Sequence, residues 1–72
     1  MTKKQFLKQL KNKKEKYNIA SKNLDSSLQR KISNEIYKMI FSSKYKLTEE
    51  EFDKICVNLV ITTYTFYLFY NR

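Results

Sequence analysis

The sequence predicts an all-α domain built from three helices, at residues 3–18, 26–41 and 48–70. Two observations lead to this fold class. The 72 residues contain no Gly and no Pro, so the residues that form tight hairpin turns are missing and most small β folds are excluded. Three segments also carry apolar residues at the spacing of a single helix face. A chain of this length is expected to form one domain, residues 1–72, with a small core.

The first predicted helix has a narrow apolar face. Phe6, Leu10 and Tyr17 point in similar directions when successive residues are placed 100° apart around a helix axis. Lys13 and Lys14 fall close to the same face and interrupt it. We therefore expect this helix to be held weakly, or to be ordered by a partner.

The second predicted helix has the clearest periodicity of the three. Ser26 and Gln29 have the spacing of a capping box, in which each side chain bonds to a free backbone N–H of the first turn. The apolar residues of this helix form one stripe, and they are Leu28, Ile32, Ile36, Met39 and Ile40. The stripe predicts a helix that packs along its whole length.

The third predicted helix has a well-marked start and an ambiguous end. Thr48 and Glu51 form a second capping-box pattern, and the first turn is acidic, as the helix dipole favours. From Val57 to Tyr70 the chain is rich in β-branched and aromatic residues, which also suit a strand. Because no partner strand or hairpin turn is evident, a continuous helix is expected.

Such a continuous helix would be apolar on two sides. The broader face, suited to packing on the first two helices, consists of Ile55, Cys56, Leu59, Val60, Thr63, Phe66, Tyr67 and Tyr70. A second stripe at i, i+4, i+7 and i+11 consists of Val57, Ile61, Tyr64 and Leu68. A helix with two apolar faces must be covered on both. The second stripe therefore predicts a partner surface, most simply a homodimer; another protein, or full coverage by the first two helices, remains an alternative.

The charge of the chain is unevenly distributed. Residues 1–46 hold thirteen basic and three acidic side chains, whereas residues 47–72 hold two basic and four acidic ones. A basic half joined to an apolar, aromatic-rich half suggests that one part binds a polyanion and the other packs. Two simpler explanations stay open: a Lys-rich surface favours solubility, and an AT-rich genome favours Lys, Asn, Ile, Tyr and Phe codons.

Nucleic-acid binding is predicted to use two surfaces, one on each of the first two helices. Their residues are Lys4, Lys8, Lys11 and Lys14 on the first helix and Arg30, Asn34, Tyr37 and Lys38 on the second. The lysines would neutralise phosphates, and the second helix adds a guanidinium, an amide and a ring expected to be solvent-exposed. The third helix starts acidic and continues apolar, unlike a groove-reading helix. We therefore expect backbone contacts to DNA or RNA with weak sequence specificity.

Catalysis is not expected. The chain has no His, which removes the commonest general base and the commonest metal ligand. The single Cys56 lies on the broad apolar face with no activating group, so a buried thiol is the expected identity. The acidic run at residues 49–51 is explained by the helix dipole rather than by a metal ion. No enzyme activity, cofactor or metal is predicted.

Three functions are consistent with these features. The first is a small nucleic-acid-binding accessory protein of the kind that phages and plasmids encode. The second is an inhibitor or adaptor that binds and occludes a host protein machine. The third is membrane association through the uncharged run of seventeen residues from Ile55 to Asn71; this is disfavoured because its Asn and Thr side chains are costly in hydrocarbon. The expected location is the cytoplasm.

Overall fold

The structure, a computed structural model, describes residues 1–71 and confirms an all-α domain. Within those residues it contains four helices and no strand: α1 (Lys3–Lys22), α2 (Ser26–Ser42), α3 (Glu49–Cys56) and α4 (Thr63–Tyr70). The prediction of three helices is wrong, because the segment expected to form one helix from 48 to 70 forms two. None of the helices described is long and apolar enough to cross a membrane.

Helices α1 and α2 form an antiparallel pair joined by a short turn. The turn uses Leu24 in the left-handed region, at φ 57°, and Asp25 donates its backbone N–H to the carbonyl of Ala20. Asp25 also caps α2, since its side chain accepts a hydrogen bond from the backbone N–H of Leu28. The predicted capping box at Ser26 is therefore wrong, because Ser26 already belongs to the first turn.

Helix α1 continues four residues beyond its predicted end at residue 18 because its last turns are held by packing. Tyr17 and Ala20 are buried against the core. Lys13, predicted to interrupt the apolar face, forms an ion pair with Glu35 of α2. The buried apolar core draws on both long helices and on the segment after α3, and its members are Phe6, Leu10, Tyr17, Ala20, Ile32, Ile36, Tyr37 and Leu59.

Helix α3 begins as predicted. Thr48 and Glu51 form the reciprocal capping box, with hydrogen bonds of 3.1 and 2.8 Å between backbone N–H groups and side-chain oxygens. Glu51 also pairs with Lys3 of α1 at 3.0 Å. This ion pair joins the start of α3 to the start of α1.

The chain leaves helical geometry between α3 and α4. Asn58 takes the left-handed conformation, with φ of 63°, and Thr62 caps the start of α4 through a bond to the N–H of Thr65. Five of the residues from 57 to 62 are β-branched or Asn, and these types favour a helix interior less than Ala or Leu does. The local sequence therefore permits the break, although it does not require it.

Side chains of α1 and α2 supply the hydrogen bonds that this break removes from the helix. The hydroxyl of Tyr17 donates to the carbonyl of Asn58 at 2.7 Å and accepts from the N–H of Val60 at 3.1 Å. Ser33 donates to the carbonyl of Val60 at 2.6 Å. Buried backbone groups need such partners. The predicted continuous helix is wrong because tertiary hydrogen bonds satisfy the irregular backbone.

The break also rotates α4 relative to the predicted helix. Thr65 is fully buried, and the ring of Phe69 lies 6.1 Å from that of Tyr37. Phe66 and Tyr70, expected to pack on the first two helices, are instead exposed. Residues 57–62 lie outside a helix, so the residues of α3 and α4 are no longer placed 100° apart around one axis. The apolar face predicted for the C-terminal part of the chain is therefore wrong.

Candidate nucleic-acid interface

Three predicted lysines form one exposed row on α1. Lys4, Lys8 and Lys11 occupy positions i, i+4 and i+7, on the side opposite the buried Phe6 and Leu10. None of the three forms an ion pair with another side chain among residues 1–71. We call this set the α1 lysine row. Its ammonium groups are positioned to face a ligand in solvent.

Neighbouring lysines of the same helix have internal roles instead. Lys3 pairs with Glu51 at 3.0 Å and Lys13 with Glu35 at 2.6 Å. Both lysines are half-buried and tie α1 to another helix. Lysines of α1 thus have two roles in the fold: Lys3 and Lys13 hold helices together, and those of the α1 lysine row face solvent. The amino-acid composition alone does not distinguish the two groups.

Lys14, predicted to bind nucleic acid, is also engaged inside the domain. Its Nζ donates to the carbonyl of Val57 and lies 5.3 Å from the centre of the Tyr17 ring. Desolvation lowers the pKa of Lys14, and the nearby Cys56 acts in the opposite direction. The break after α3 places the carbonyl of Val57 within reach of Lys14, so its ammonium group has a partner inside the domain, unlike those of the α1 lysine row.

Some of the predicted residues of α2 are exposed, and others contact residues inside the domain. Arg30 and Lys38 are exposed. Asn34, one turn from each, is half-buried, and its Oδ1 accepts a hydrogen bond of 2.5 Å from the hydroxyl of Thr62. Arg30 and Lys38 remain available to a ligand, whereas Asn34 joins α2 to the start of α4.

Tyr37 is not the exposed ring that the sequence predicted. It is 5% exposed, and its ring lies 6.3 Å from that of Phe41 and 6.1 Å from that of Phe69. Burial, assisted by the neighbouring Cys56 thiol, raises the pKa of Tyr37 to about 12. The prediction is wrong because α4 packs on this side of α2 and covers the ring.

Cys56 is a shielded thiol at the end of α3. Burial raises its pKa to about 11, against smaller opposite effects from the hydrogen bond with Tyr37 and from Lys14. A thiol with so high a pKa is largely protonated at neutral pH and is a weak nucleophile. Among residues 1–71, no three His, Cys, Asp or Glu side chains come together as a metal site would require.

The predicted partner stripe does not form a single row. Val57 and Ile61 lie in the segment between α3 and α4 and are 53% and 59% exposed. Tyr64 and Leu68 lie on α4 and are half-buried. The predicted geometry is wrong because no one helix carries all four residues. Self-association stays a prediction, but the single helical stripe that suggested it is not present in the structure.

The basic residues of the two helices border different depressions of the surface. The α1 lysine row lines one with Gln5 and Leu7. Arg30 lines another, together with the segment from Val60 to Thr63. The two predicted surfaces, one on each helix, thus border separate depressions.

Three rings of α4 that were expected to pack on the first two helices are exposed instead: Phe66, Tyr67 and Tyr70. Phe66 and Tyr70 are 54% and 86% exposed on α4. Their exposure depends on the rotation of α4, and no local pattern signals it. Comparisons with protein-family models, with curated proteins and with solved structures found no match to this chain.

Proposed function

We propose that this chain binds nucleic acid through the phosphate backbone, with weak sequence specificity, and acts as an accessory or regulatory protein without catalysis. The observation that supports this proposal is the α1 lysine row, three exposed cations on one helix face without an ion-pair partner in the described chain. Unpaired lysines release counterions from a polyanion when they bind it, which makes binding favourable and dependent on salt.

The spacing of the row suits a nucleic-acid backbone. Lys4 and Lys11 are seven residues apart, which corresponds to about 10 Å along a helix that rises 1.5 Å per residue. Successive phosphates of one B-DNA strand advance about 3.4 Å along the duplex axis. The row is therefore long enough to contact more than one phosphate, and long lysine side chains can adjust to either DNA or RNA.

The test is the salt dependence of binding to a mixed-sequence duplex. We expect the triple variant Lys4→Gln, Lys8→Gln, Lys11→Gln to bind more weakly. The slope of log K against log salt concentration should also decrease in magnitude by about 2.7, since each lost phosphate contact contributes about 0.9. Fluorescence anisotropy of a labelled 20-base-pair duplex between 20 and 200 mM NaCl measures both quantities.

A matched triple variant separates position from net charge. Lys22→Gln, Lys44→Gln and Lys46→Gln remove the same charge from exposed sites outside the row. We expect this control to retain most of the wild-type slope. Equal losses from both triple variants would show that only overall charge matters, and no measurable binding at 20 mM NaCl would overturn the proposed function.

A groove between α1 and α3 favours a second function, as an inhibitor or adaptor of another protein. The groove has a volume of about 480 Å³, and its apolar lining consists of Leu7, Ile55 and Val57. Charged residues of both signs border it, namely Lys11, Lys14, Lys54, Glu15 and Glu51. An apolar groove bordered by charges of both signs suits an amphipathic helix of a partner protein. A pull-down after nuclease treatment tests this role: a specific protein should remain bound and be lost with Val57→Glu, whereas proteins released by nuclease support the first function.

A further inference from the structure

Helix α4 lies alongside α2 in the same direction. Near the start of α4, the hydroxyl of Thr62 bonds to Asn34 at 2.5 Å. Near its end, the ring of Phe69 lies 6.1 Å from that of Tyr37. The contact nearer the C-terminus of α2 is also the contact nearer the C-terminus of α4, so the two helices point the same way. The solvent-facing residues of α2 beside this contact therefore adjoin those of α4.

The row on α2 is cationic. Arg30 and Lys38 lie four residues before and four residues after Asn34, so the three residues follow one ridge of the helix. Both charged residues are exposed. Arg30 borders a surface depression together with Thr63, which places it at the boundary with α4.

The adjoining row on α4 is aromatic. Phe66 and Tyr70 lie four and eight residues after Thr62, the residue that contacts α2. Their exposures of 54% and 86% leave large parts of both rings in contact with solvent. Tyr67, also exposed, lies about 100° further around the helix from Phe66 and stacks on Tyr64 at 6.1 Å. Phe69 packs on Tyr37 and Phe41 of α2, and Phe66 and Tyr70 are the more exposed rings on the side of α4 that includes Thr62.

This face carries no described carboxylate that would repel an anion. No Asp or Glu follows Asp53 in the sequence. The only acidic residue within α2 is Glu35, which lies on the side of α1 and is paired with Lys13 at 2.6 Å. Cations beside exposed rings, without nearby carboxylates, complement a ligand that has both phosphates and planar bases.

We propose that the face formed by Arg30, Lys38, Phe66 and Tyr70 binds single-stranded nucleic acid. Bases stack on Phe66 and Tyr70 while Arg30 and Lys38 contact the phosphates. Bases of a duplex are stacked on one another and cannot offer their faces to these rings, so the face selects unpaired strands. This inference rests on the proposed function and deepens it: the α1 lysine row binds any backbone, and this face supplies the preference for single strands.

Replacement of the rings by leucine provides the central test. Leucine keeps an apolar side chain but lacks the π face, so contacts with a protein or a membrane tolerate it better than base stacking does. We expect the double variant Phe66→Leu, Tyr70→Leu to bind a labelled 15-nucleotide oligo-dT at least fivefold more weakly, since each stacked base contributes a factor of about 5 to 150. Binding to a mixed-sequence duplex should change less than twofold.

Two further variants locate the contact. Tyr67→Leu is the matched control on the same helix and should change oligo-dT binding less than twofold. Tyr70→Trp introduces a fluorophore into a chain that has no Trp, and its emission should be quenched by oligo-dT but not by the duplex. Circular dichroism tests whether each variant is folded. We expect all of them to be folded, because substitutions of exposed side chains usually change stability little.

The cations of this face have their own readout. Arg30→Gln with Lys38→Gln should lower the magnitude of the salt slope for oligo-dT by about 1.4, because each single-strand phosphate contact contributes about 0.7. The leucine variants should leave that slope unchanged, since the rings carry no charge.

Three results would overturn the inference while leaving the proposed function intact: equal losses for oligo-dT and duplex in the leucine variants, equal losses from Tyr67→Leu, or no quenching in Tyr70→Trp. Binding to phosphatidylserine vesicles that survives 0.5 M NaCl, without oligo-dT binding, would assign the rings to a membrane surface instead. If neither oligo-dT nor duplex binds at 20 mM NaCl, the proposed function fails together with this inference.

Discussion

Replacing Tyr17 by Phe removes one hydroxyl that holds two backbone groups between α3 and α4. In the folded chain that hydroxyl donates to the carbonyl of Asn58 at 2.7 Å and accepts from the N–H of Val60 at 3.1 Å. The Tyr17 ring is 2% exposed, so Phe fills the same space and the substitution removes hydrogen bonds with little change in packing.

The expected loss is about 2 kcal/mol in the free energy of unfolding. Each hydrogen bond contributes about 0.5–1.5 kcal/mol net, and a buried group left without a partner costs about 1–3 kcal/mol. Asn58 is exposed and Val60 is half-buried, so water can reach the Asn58 carbonyl more readily than the Val60 N–H. We therefore take a value in the middle of that range, which corresponds to a fall of about 10 °C in Tm for a domain of this size.

Urea unfolding followed by circular dichroism at 222 nm measures the effect. Tyr67→Phe is the matched control, because Tyr67 is 58% exposed on α4, and its removal of a hydroxyl should change the free energy of unfolding by less than about 0.5 kcal/mol. Ser33→Ala removes the bond to the carbonyl of the same Val60. In the double variant with Tyr17→Phe we expect a smaller loss than the sum of the single losses, because both side chains fix one residue.

A change below about 0.5 kcal/mol for Tyr17→Phe, equal to that of the control, would refute this reasoning. It would mean that the segment from 57 to 62 keeps its conformation without the hydroxyl, or that water replaces it at no cost. Additive effects of Tyr17→Phe and Ser33→Ala would likewise contradict a joint role at Val60.

Three other predictions concern the C-terminal half. Thr62→Ala should destabilise the fold by about 0.5–2 kcal/mol in urea unfolding, because α4 loses its capping side chain; wild-type stability would contradict the assigned cap. Burial raises the pKa of Cys56 from its ordinary 9.0 to about 11, so between these values the folded chain retains a proton that the unfolded chain has released. The midpoint of urea unfolding should therefore fall from pH 9 to pH 11, and less steeply in Cys56→Ala; parallel profiles would exclude the thiol as a cause. If the chain self-associates through Ile61, as the second apolar stripe predicts, Ile61→Asp should have the monomer mass in light scattering. A charge at this exposed position costs the monomer little, and a wild-type monomer at 1 mM would contradict self-association.

The parts of the fold that were predictable are those with strong local signals. The apolar stripe of α2 and the capping box at Thr48 and Glu51 depend on residues within a few positions of each other, and both are present in the structure. The exposure of the α1 lysine row was also predictable, since it follows from the position of Phe6 and Leu10 on the same helix. In each case the determining contacts lie inside one element.

The parts that failed depend on residues far apart in the sequence. The bond from Lys14 to the carbonyl of Val57 joins residues 43 positions apart. Tyr37 is covered because Phe69 packs beside it. Neither contact follows from the local pattern of α1 or α2, and the same holds for the bond from Thr62 to Asn34. The predicted residues therefore included three, Lys14, Asn34 and Tyr37, that make contacts inside the domain.

By itself, the sequence determined the helical class, the basic character of the first 46 residues and the starts of α1, α2 and α3. Only the tertiary structure decided where the C-terminal segment stops being helical and which face of α4 is exposed. The physical reason is that β-branched residues give the segment from 57 to 62 only a weak preference. Hydrogen bonds from Tyr17 and Ser33 then select the irregular backbone, and that choice sets the exposure of Phe66 and Tyr70.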